Sequence, residues 1–362
     1  MEAMGLINPG FWRGKRVFVT GHTGFKGSWL SIWLVSLGAD VCGYALDPPT
    51  EPSLFARAGV AEIVTHIVGD VRDENALAKA LREYRPDIVI HLAAQPIVRE
   101  SYRHPVGTFA TNIMGTVNLF ESIRHCDSVH AALNVTTDKV YQNREWLWGY
   151  REDEALGGYD PYSASKACSD IITASYRDSF FNPKDYGSKH RTAVASARSG
   201  NVIGGGDWAT DRLIPDCIRA FNAGQPLKIR NPNSIRPWQY VIEPLSGYLL
   251  LCERLYAGNL DAMGAWNFGP RPDDAMPVKW IIEQMMDGWK GAPGFEVEAG
   301  EHPHEANYLK LDYSKATAIL GWNPRWGIRD ALGKVLEWHF STESGIPPRQ
   351  VCEIQLAAYM GS

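Results

Sequence analysis

Arg16-Val17-Phe18-Val19-Thr20-Gly21-His22-Thr23-Gly24-Phe25-Lys26-Gly27 is a short apolar run that halts at a glycine and resumes past two more. Helical spacing then holds from Gly24 to Leu37. An apolar run ended by a turn residue predicts a buried strand, and the change of period predicts a strand–turn–helix unit. The pattern recurs downstream. Val41–Leu46, Ile63–Val68, Ile88–Ala93 and Ala131–Thr136 read as further buried strands, with helices near Glu74–Tyr84 and Val106–Arg124 between them. Pro161 opens another helix through about Tyr176, and Thr192–Val202 returns as a strand. Such alternation requires right-handed crossovers and a parallel sheet covered on both faces. The expected fold class is α/β, a doubly wound parallel sheet of Rossmann type. Beyond Gly204 the run of glycines and prolines predicts short elements, hence a smaller α/β substrate-binding lobe. The expected division is 12–203 for the first domain and 204–345 for the lobe, some of which returns to the first domain.

Composition narrows the class. At 362 residues the chain supports a large core, and a net charge of −5 gives no electrostatic case for a nucleic-acid partner. Six scattered Cys lack paired metal-ligand spacing, so reduced thiols in the cytoplasm and no metal are expected. No apolar run approaches membrane-spanning length and no signal-peptide pattern opens the chain, so no membrane partner is expected.

The glycine turn has a ligand-binding reading. Gly21, Gly24 and Gly27 permit a tight turn, close approach to a pyrophosphate and close helix–sheet contact, while the helix N-terminus offers N–H groups and a positive dipole. Glycine spacing alone also fits a merely structural turn. Asp47 lies 20 residues after Gly27, where a carboxylate can hold ribose hydroxyls and would repel a 2′-phosphate, so NAD is expected over NADP. A turn residue before Pro48-Pro49 is the competing reading of Asp47. Asp70 and Val71, after the third strand, can offer a carboxylate and a backbone amide to an adenine edge, though Asp70 also fits a cap. Leu92, Ala93 and Ala94 are small enough for a dinucleotide to pass, or simply for tight packing.

Chemistry is carried by Tyr162-Ser163-Ala164-Ser165-Lys166 and, upstream, Thr137-Asp138-Lys139. Tyr162 and Lys166 stand one helical turn apart, and an ammonium beside a phenol favours the phenolate. Their spacing therefore predicts a lowered Tyr162 pKa and general-base work. Thr137 adds a hydroxyl, Asp138 an acid and Lys139 an amine at an expected strand end. Together they point to hydride chemistry on an alcohol with proton chemistry beside it. For Lys139 a plain salt bridge stays open, and adjacency to Asp138 opposes both pKa shifts that acid–base work requires. The segment Gln142–Asp160 is polar, aromatic and glycine-containing, as for a loop over the site.

Thr20–Gly27, His91–Gln95, Thr111-Asn112, Thr137–Tyr141, Tyr162–Lys166, Arg198–Val202 and Leu320–Pro324 resemble the extended short-chain dehydrogenase/reductase family in order and spacing over essentially the whole chain. Within it, Thr137-Asp138-Lys139-Val140-Tyr141 resembles the nucleotide-sugar 4,6-dehydratases. Arg236–Tyr240 and His304–Asp312 resemble those acting on CDP-D-glucose. The resemblance implies bound NAD, a lyase reaction giving CDP-4-dehydro-6-deoxy-D-glucose, and a place in deoxysugar biosynthesis such as that of lipopolysaccharide O-antigen. It assigns catalysis to Thr137, Asp138, Lys139, Tyr162 and Lys166. Cofactor contacts fall to Gly21, Thr23, Gly24, Phe25, Lys26, Gly27, Asp47, Asp70, Val71, Leu92, Ala93, Ala94, Thr111, Tyr162, Lys166 and Ser199. Substrate contacts fall to Thr137, Asn201, Arg236 and Tyr308, with His304 and Glu305 as further candidates. A homodimer or dimer of dimers is implied.

Two positions depart from the family pattern. His22 stands where a small or apolar residue is usual and Lys26 where an aliphatic one is, so Lys26 either adds a cation near the pyrophosphate or points into solvent. A nucleotide-sugar 4-epimerase would share Tyr162, Lys166 and NAD but needs no acid–base pair at C5 and C6, so Asp138-Lys139 favours dehydration. A non-catalytic NAD-binding regulator would need neither Tyr162 nor Lys166.

Overall fold

A computed structural model describes residues 5–298 and 308–361. Seven parallel strands form the central sheet: β1 (Arg16–Thr20), β2 (Asp40–Ala45), β3 (Thr65–Val68), β4 (Ile88–His91), β5 (Ala131–Val135), β6 (Ala193–Arg198) and β7 (Gly264–Asn267). Their spatial order is β7-β6-β5-β4-β1-β2-β3. The chain therefore winds outward from β1 in one direction and, from β4, in the other. That reversal opens a crevice at the carboxyl ends of β1 and β4, where ligands of such sheets bind.

Alternation within the strands assigns the two faces. Val17 and Val19 enter one buried cluster and Phe18 the other. The first cluster is closed by α1 (Phe25–Ser36), with α5 (Ile242–Tyr256), α6 (Ile328–Glu343) and α7 (Pro348–Gly361) packed around it. The second is closed by α2 (Glu74–Tyr84) and α3 (Gly115–Arg124), with α4 (Pro161–Phe180) adding Tyr176 at its margin. α1 is buried almost all round, from Gly27 to Leu34, as befits a helix with apolar residues on every side. α4 starts where the sequence dictates: Asp160 caps it by accepting from the Ser163 amide at 2.9 Å, and Pro161 sits in the first turn.

Several expected boundaries shift. The strand expected over Thr192–Val202 ends at Arg198, and Val202–Ile203 pairs instead with Gln239–Tyr240 outside the main sheet. The break is steric. A Cβ on Gly200 would lie 2.0 Å from the Asp138 carboxyl carbon, and Asn201 adopts φ +47°. The helix expected from Val106 is interrupted by a π turn over Ala110–Met114, and α4 runs on to Phe180. Beyond β6 two further short ladders form, Ile235–Pro237 with Ala275–Pro277 and Leu227–Ile229 with Phe295–Val297. All six cysteines are unpaired. Among the described residues no helix is long and apolar enough to cross a membrane, and no group of three or more His, Cys, Asp or Glu is placed to hold a metal.

Candidate active site

A cavity of about 1460 Å³ opens at the carboxyl ends of β1 and β4, larger than one small ligand requires. Its first wall is the glycine turn. Gly21 has φ +76°, and a Cβ there would meet the Ala93 nitrogen at 2.6 Å. On Gly27 a Cβ would stand 2.2 Å from the Gly21 carbonyl, so α1 can approach the sheet only because both are glycine. The first-turn N–H groups of α1 lack helical partners and face this space, as an anion site requires. Thr23 ties the turn to the end of β2 by donating to the Leu46 carbonyl at 2.9 Å, and the exposed Asp47 lines the cavity beside it. Leu92, Ala93, Ala94 and Thr111 also line it. At its far side Asp70 and Val71 line the wall, with both Asp70 oxygens held by Arg72, which keeps that carboxyl below its usual range. The groove, its glycines and Asp47 fit a dinucleotide.

The second wall joins β5, α4 and the segment after β6. Thr137, Asp138 and Lys139 follow β5, the last two beginning a short 3₁₀ turn. Thr137 donates to Asp138 at 2.9 Å, Asn201 reaches the other Asp138 oxygen at 3.4 Å, and the Lys139 amine stands 3.9 Å from Asp138. Asp138 is buried and Lys139 half-exposed. Tyr162 and Lys166 face the same cavity from the first turns of α4. The Lys166 ammonium donates to the Val135 carbonyl at 2.9 Å.

The direction of the phenol's shift differs from expectation. Burial pushes the Tyr162 pKa up to about 12, although the Thr137 hydroxyl pulls it back. Spacing along the helix brings Lys166 to the same cavity as the phenol, and its ammonium spends one N–H on the Val135 carbonyl. Burial also lowers Lys166 to about 8, against the opposing field of Asp170.

Lys26 does not point into solvent. Its amine turns inward to Ser199 (3.3 Å) and Tyr248 (3.5 Å), at the floor shared by both walls. Burial, then Arg212 and Lys166, lower it to about 7, while Asp138 acts in the opposite sense. His22 is fully buried outside the cavity, 2.7 Å from His66, and its ring occupies the space left by Gly43 on β2.

The remaining expected ligands divide. Asn201, Ser199 and Arg236 line the cavity, whereas Tyr308 does not: its hydroxyl donates to the Leu147 carbonyl at 3.2 Å, and Leu309 lines the wall instead. His304 and Glu305 lie outside the described residues. The expected covering loop contributes Gln142–Glu145 and Gly157–Asp160. Sequence reasoning missed Arg212, held by Asp207 at 2.9 Å, and quoted Asn112 within a family motif without giving it a role; its side chain bonds the Gln95 backbone and Ser165. Asn112 draws its partners from segments remote in the chain, and the neighbouring Asp207 that holds Arg212 carries no motif of its own.

The sequence model described as GDP-mannose 4,6 dehydratase matches residues 18–335. The chain is 53% identical over 334 residues to a CDP-glucose 4,6-dehydratase of Salmonella typhimurium, covering 92% of this chain and 93% of that one. It is 25% identical to dTDP-glucose 4,6-dehydratase 1 of Escherichia coli, covering 90% and 93%. Among solved structures, dTDP-glucose 4,6-dehydratase from Streptomyces venezuelae with NAD and TYD bound superposes with a TM-score of 0.76 at 23% identity, covering 92% and 99%. UDP-glucose 4-epimerase of Thermus thermophilus in complex with NAD gives 0.76 at 24%, covering 91% and 100%.

Proposed function

Because the chain belongs to the GDP-mannose 4,6 dehydratase family, we propose that it converts CDP-D-glucose to CDP-4-dehydro-6-deoxy-D-glucose with NAD as its cofactor. The observation that carries this is the convergence of Thr137, Asp138, Lys139, Tyr162 and Lys166 on one cavity beside the glycine turn. NAD, when bound, accepts a hydride from the sugar's C4 and returns it to C6. Gly21, Thr23, Gly24, Phe25, Lys26 and Gly27 would hold it at the turn, Asp47 at a ribose, Asp70 and Val71 at the adenine, and Leu92, Ala93, Ala94, Thr111 and Ser199 along its length.

Tyr162 takes the proton of the 4-hydroxyl, oriented by Thr137, and the charge of Lys166 stabilises the phenolate. A C4 ketone acidifies the hydrogen at C5, which Lys139 removes; a solvent-exchangeable proton returns to C5 when C6 has taken up the hydride. Asp138 gives its proton to the departing 6-hydroxyl, and water leaves. The burial of Asp138, and its bonds from Thr137 and Asn201, hold that carboxyl at a fixed point in the site. Asn201 and Arg236 would take the substrate's diphosphate, for which a guanidinium is the charged fork. We assign 12–203 to the dinucleotide-binding domain and most of 204–345 to the substrate lobe.

We further propose a cytoplasmic homodimer or dimer of dimers serving deoxysugar formation for lipopolysaccharide O-antigen. Tyr102, Val106 and Met114, with Ile171 and Phe180 on α4, are apolar side chains left exposed. Light scattering at micromolar concentration tests the assembly, and a monomer would refute it.

Turnover with CDP-D-glucose in deuterated water tests the reaction. Dehydration places solvent deuterium at C5; a product with unlabelled C5 and inverted C4 would replace this reading with epimerisation. Parallel assays with UDP-, dTDP- and GDP-glucose and GDP-mannose test the base.

A further inference from the structure

We infer that Asp170, paired with Arg198, is a positioning residue that fixes the helix bearing Tyr162 and Lys166 against the strand end bearing Thr137. The inference rests on the catalytic reading above. Asp170 lies one helical turn beyond Lys166 on α4 and is almost fully buried. One of its oxygens accepts from Ser196 at 2.7 Å and Arg198 at 3.0 Å; the other accepts from Thr136 at 2.8 Å and Arg198 at 2.9 Å. A carboxylate out of water with both oxygens doubly bonded holds its geometry strongly, since losing any partner leaves a buried charge short of donors.

The elements it joins give the network its role. Lys166 grips the carbonyl of Val135, and Asp170 grips the hydroxyl of the next residue, Thr136. Two side chains one turn apart on α4 thus hold two successive residues at the tip of β5. Thr137, which must meet Tyr162, is the third. Arg198 extends the brace by donating to the Tyr141 hydroxyl at 2.7 Å, which in turn donates to Asn267 on β7 at 2.7 Å. A plain structural ion pair would need none of this convergence on the tip of β5.

Charge follows from the same geometry. The charged or titratable groups whose fields couple to Lys166 are Asp170 on its own helix, His91 at the end of β4 and Lys26 on α1; Tyr162 lines the same cavity, and Arg198 on β6 lies behind Asp170. Lys26 disfavours the ammonium when charged, burial disfavours it throughout, and Asp170 is the one carboxylate that sustains it. Without that negative charge Lys166 gives up its proton at lower pH, and the phenolate of Tyr162 loses its counter-charge.

Asp170→Asn keeps the shape and removes the charge. In protein labelled with ¹⁵N at lysine Nζ, with Lys166 assigned by its absence in Lys166→Met, Lys166 should titrate about one pH unit lower in Asp170→Asn than in the native chain. The alkaline limb of the kcat profile with CDP-D-glucose should move by the same amount, so activity at pH 9 falls about fivefold further relative to pH 7. An unmoved Lys166 titration overturns the inference. A shifted titration in a chain inactive on CDP-D-glucose upholds the brace and rejects the assigned reaction instead. If Asp170→Asn does not fold, Thr136→Val removes one donor to Asp170 without adding bulk. A kcat lowered several-fold at unchanged KM then supports the brace, and native kcat overturns it.

Discussion

The Lys139 amine and Asp138 carboxylate stand 3.9 Å apart, one half-exposed and the other buried. If Lys139 is the base at C5, Lys139→Met should lower kcat by about 10²–10⁴-fold while C4 oxidation persists, so single turnovers would accumulate reduced cofactor. Undiminished turnover would remove Lys139 from the mechanism. Burial sets a second, separate expectation for His91, which bonds Thr20 at 2.6 Å and whose pKa is lowered to about 3 by burial and then by Lys166. His22 is lowered to about 3 by burial and then by His66. Both stay neutral when folded, whereas in the unfolded chain they charge near pH 6.5. Below that value the unfolded state binds protons that the folded state refuses, so stability is lost as pH falls from about 6.5 toward 3, by about 1.4 kcal/mol per pH unit for each histidine. Urea unfolding at pH 6 and pH 4 should show His91→Gln with a shallower dependence by about that amount. An equal slope in both proteins would mean that His91 accepts its proton without unfolding.

At the scale of elements, the approach of β2 to the glycine turn depends on a matched pair. The His22 ring fills the place of the missing Gly43 side chain, where a Cβ would fall 2.2 Å from the ring. Gly43→Ala should therefore cost about 1–3 kcal/mol by overpacking, and His22→Ala in the same chain should recover most of it. Additive costs in thermal or urea melts would show that the two sites do not share this space. The pairing also marks the limit of what sequence can disclose. β1, α1 and α2 were legible within a residue or so because period, glycine turn and caps act locally. The break after Arg198 was not, because Gly200 yields to the Asp138 carboxylate in the turn after β5 rather than to its own neighbours. The site follows the same division. Cavity-lining placement of Gly21, Asp47, Thr137, Tyr162 and Lys166 was readable from motif order. The inward turn of Lys26, the departure of Tyr308 and the Lys166–Val135 bond were not, since each depends on a partner remote in sequence.

At the scale of the whole molecule, α7 lies beyond residue 335, where the family match ends, yet it closes the core that supports α1. It buries Val351, Cys352, Gln355, Leu356 and Tyr359, and the Tyr359 ring meets Trp33 of α1 edge-on at 6.1 Å. Its polar contacts are equally internal. The Tyr359 hydroxyl donates to the fully buried Glu243 at 2.7 Å, and the same carboxylate accepts from the Arg325 and Trp326 amides. Burying its four apolar side chains contributes roughly 6–12 kcal/mol at about 1.5–3 each, comparable to the ~5–15 kcal/mol that holds a whole domain folded. Deleting residues 348–362 should therefore abolish cooperative unfolding and NAD binding together, although none of residues 348–361 lines the cavity. The narrower change Tyr359→Phe leaves packing intact and removes one donor from Glu243, so it should cost about 1–3 kcal/mol and leave kcat unchanged. Calorimetric melts decide between the two roles for this helix. A truncated chain that melts cooperatively near the native temperature would make α7 an appendage, and α1 would then owe its position to the sheet and α5 alone.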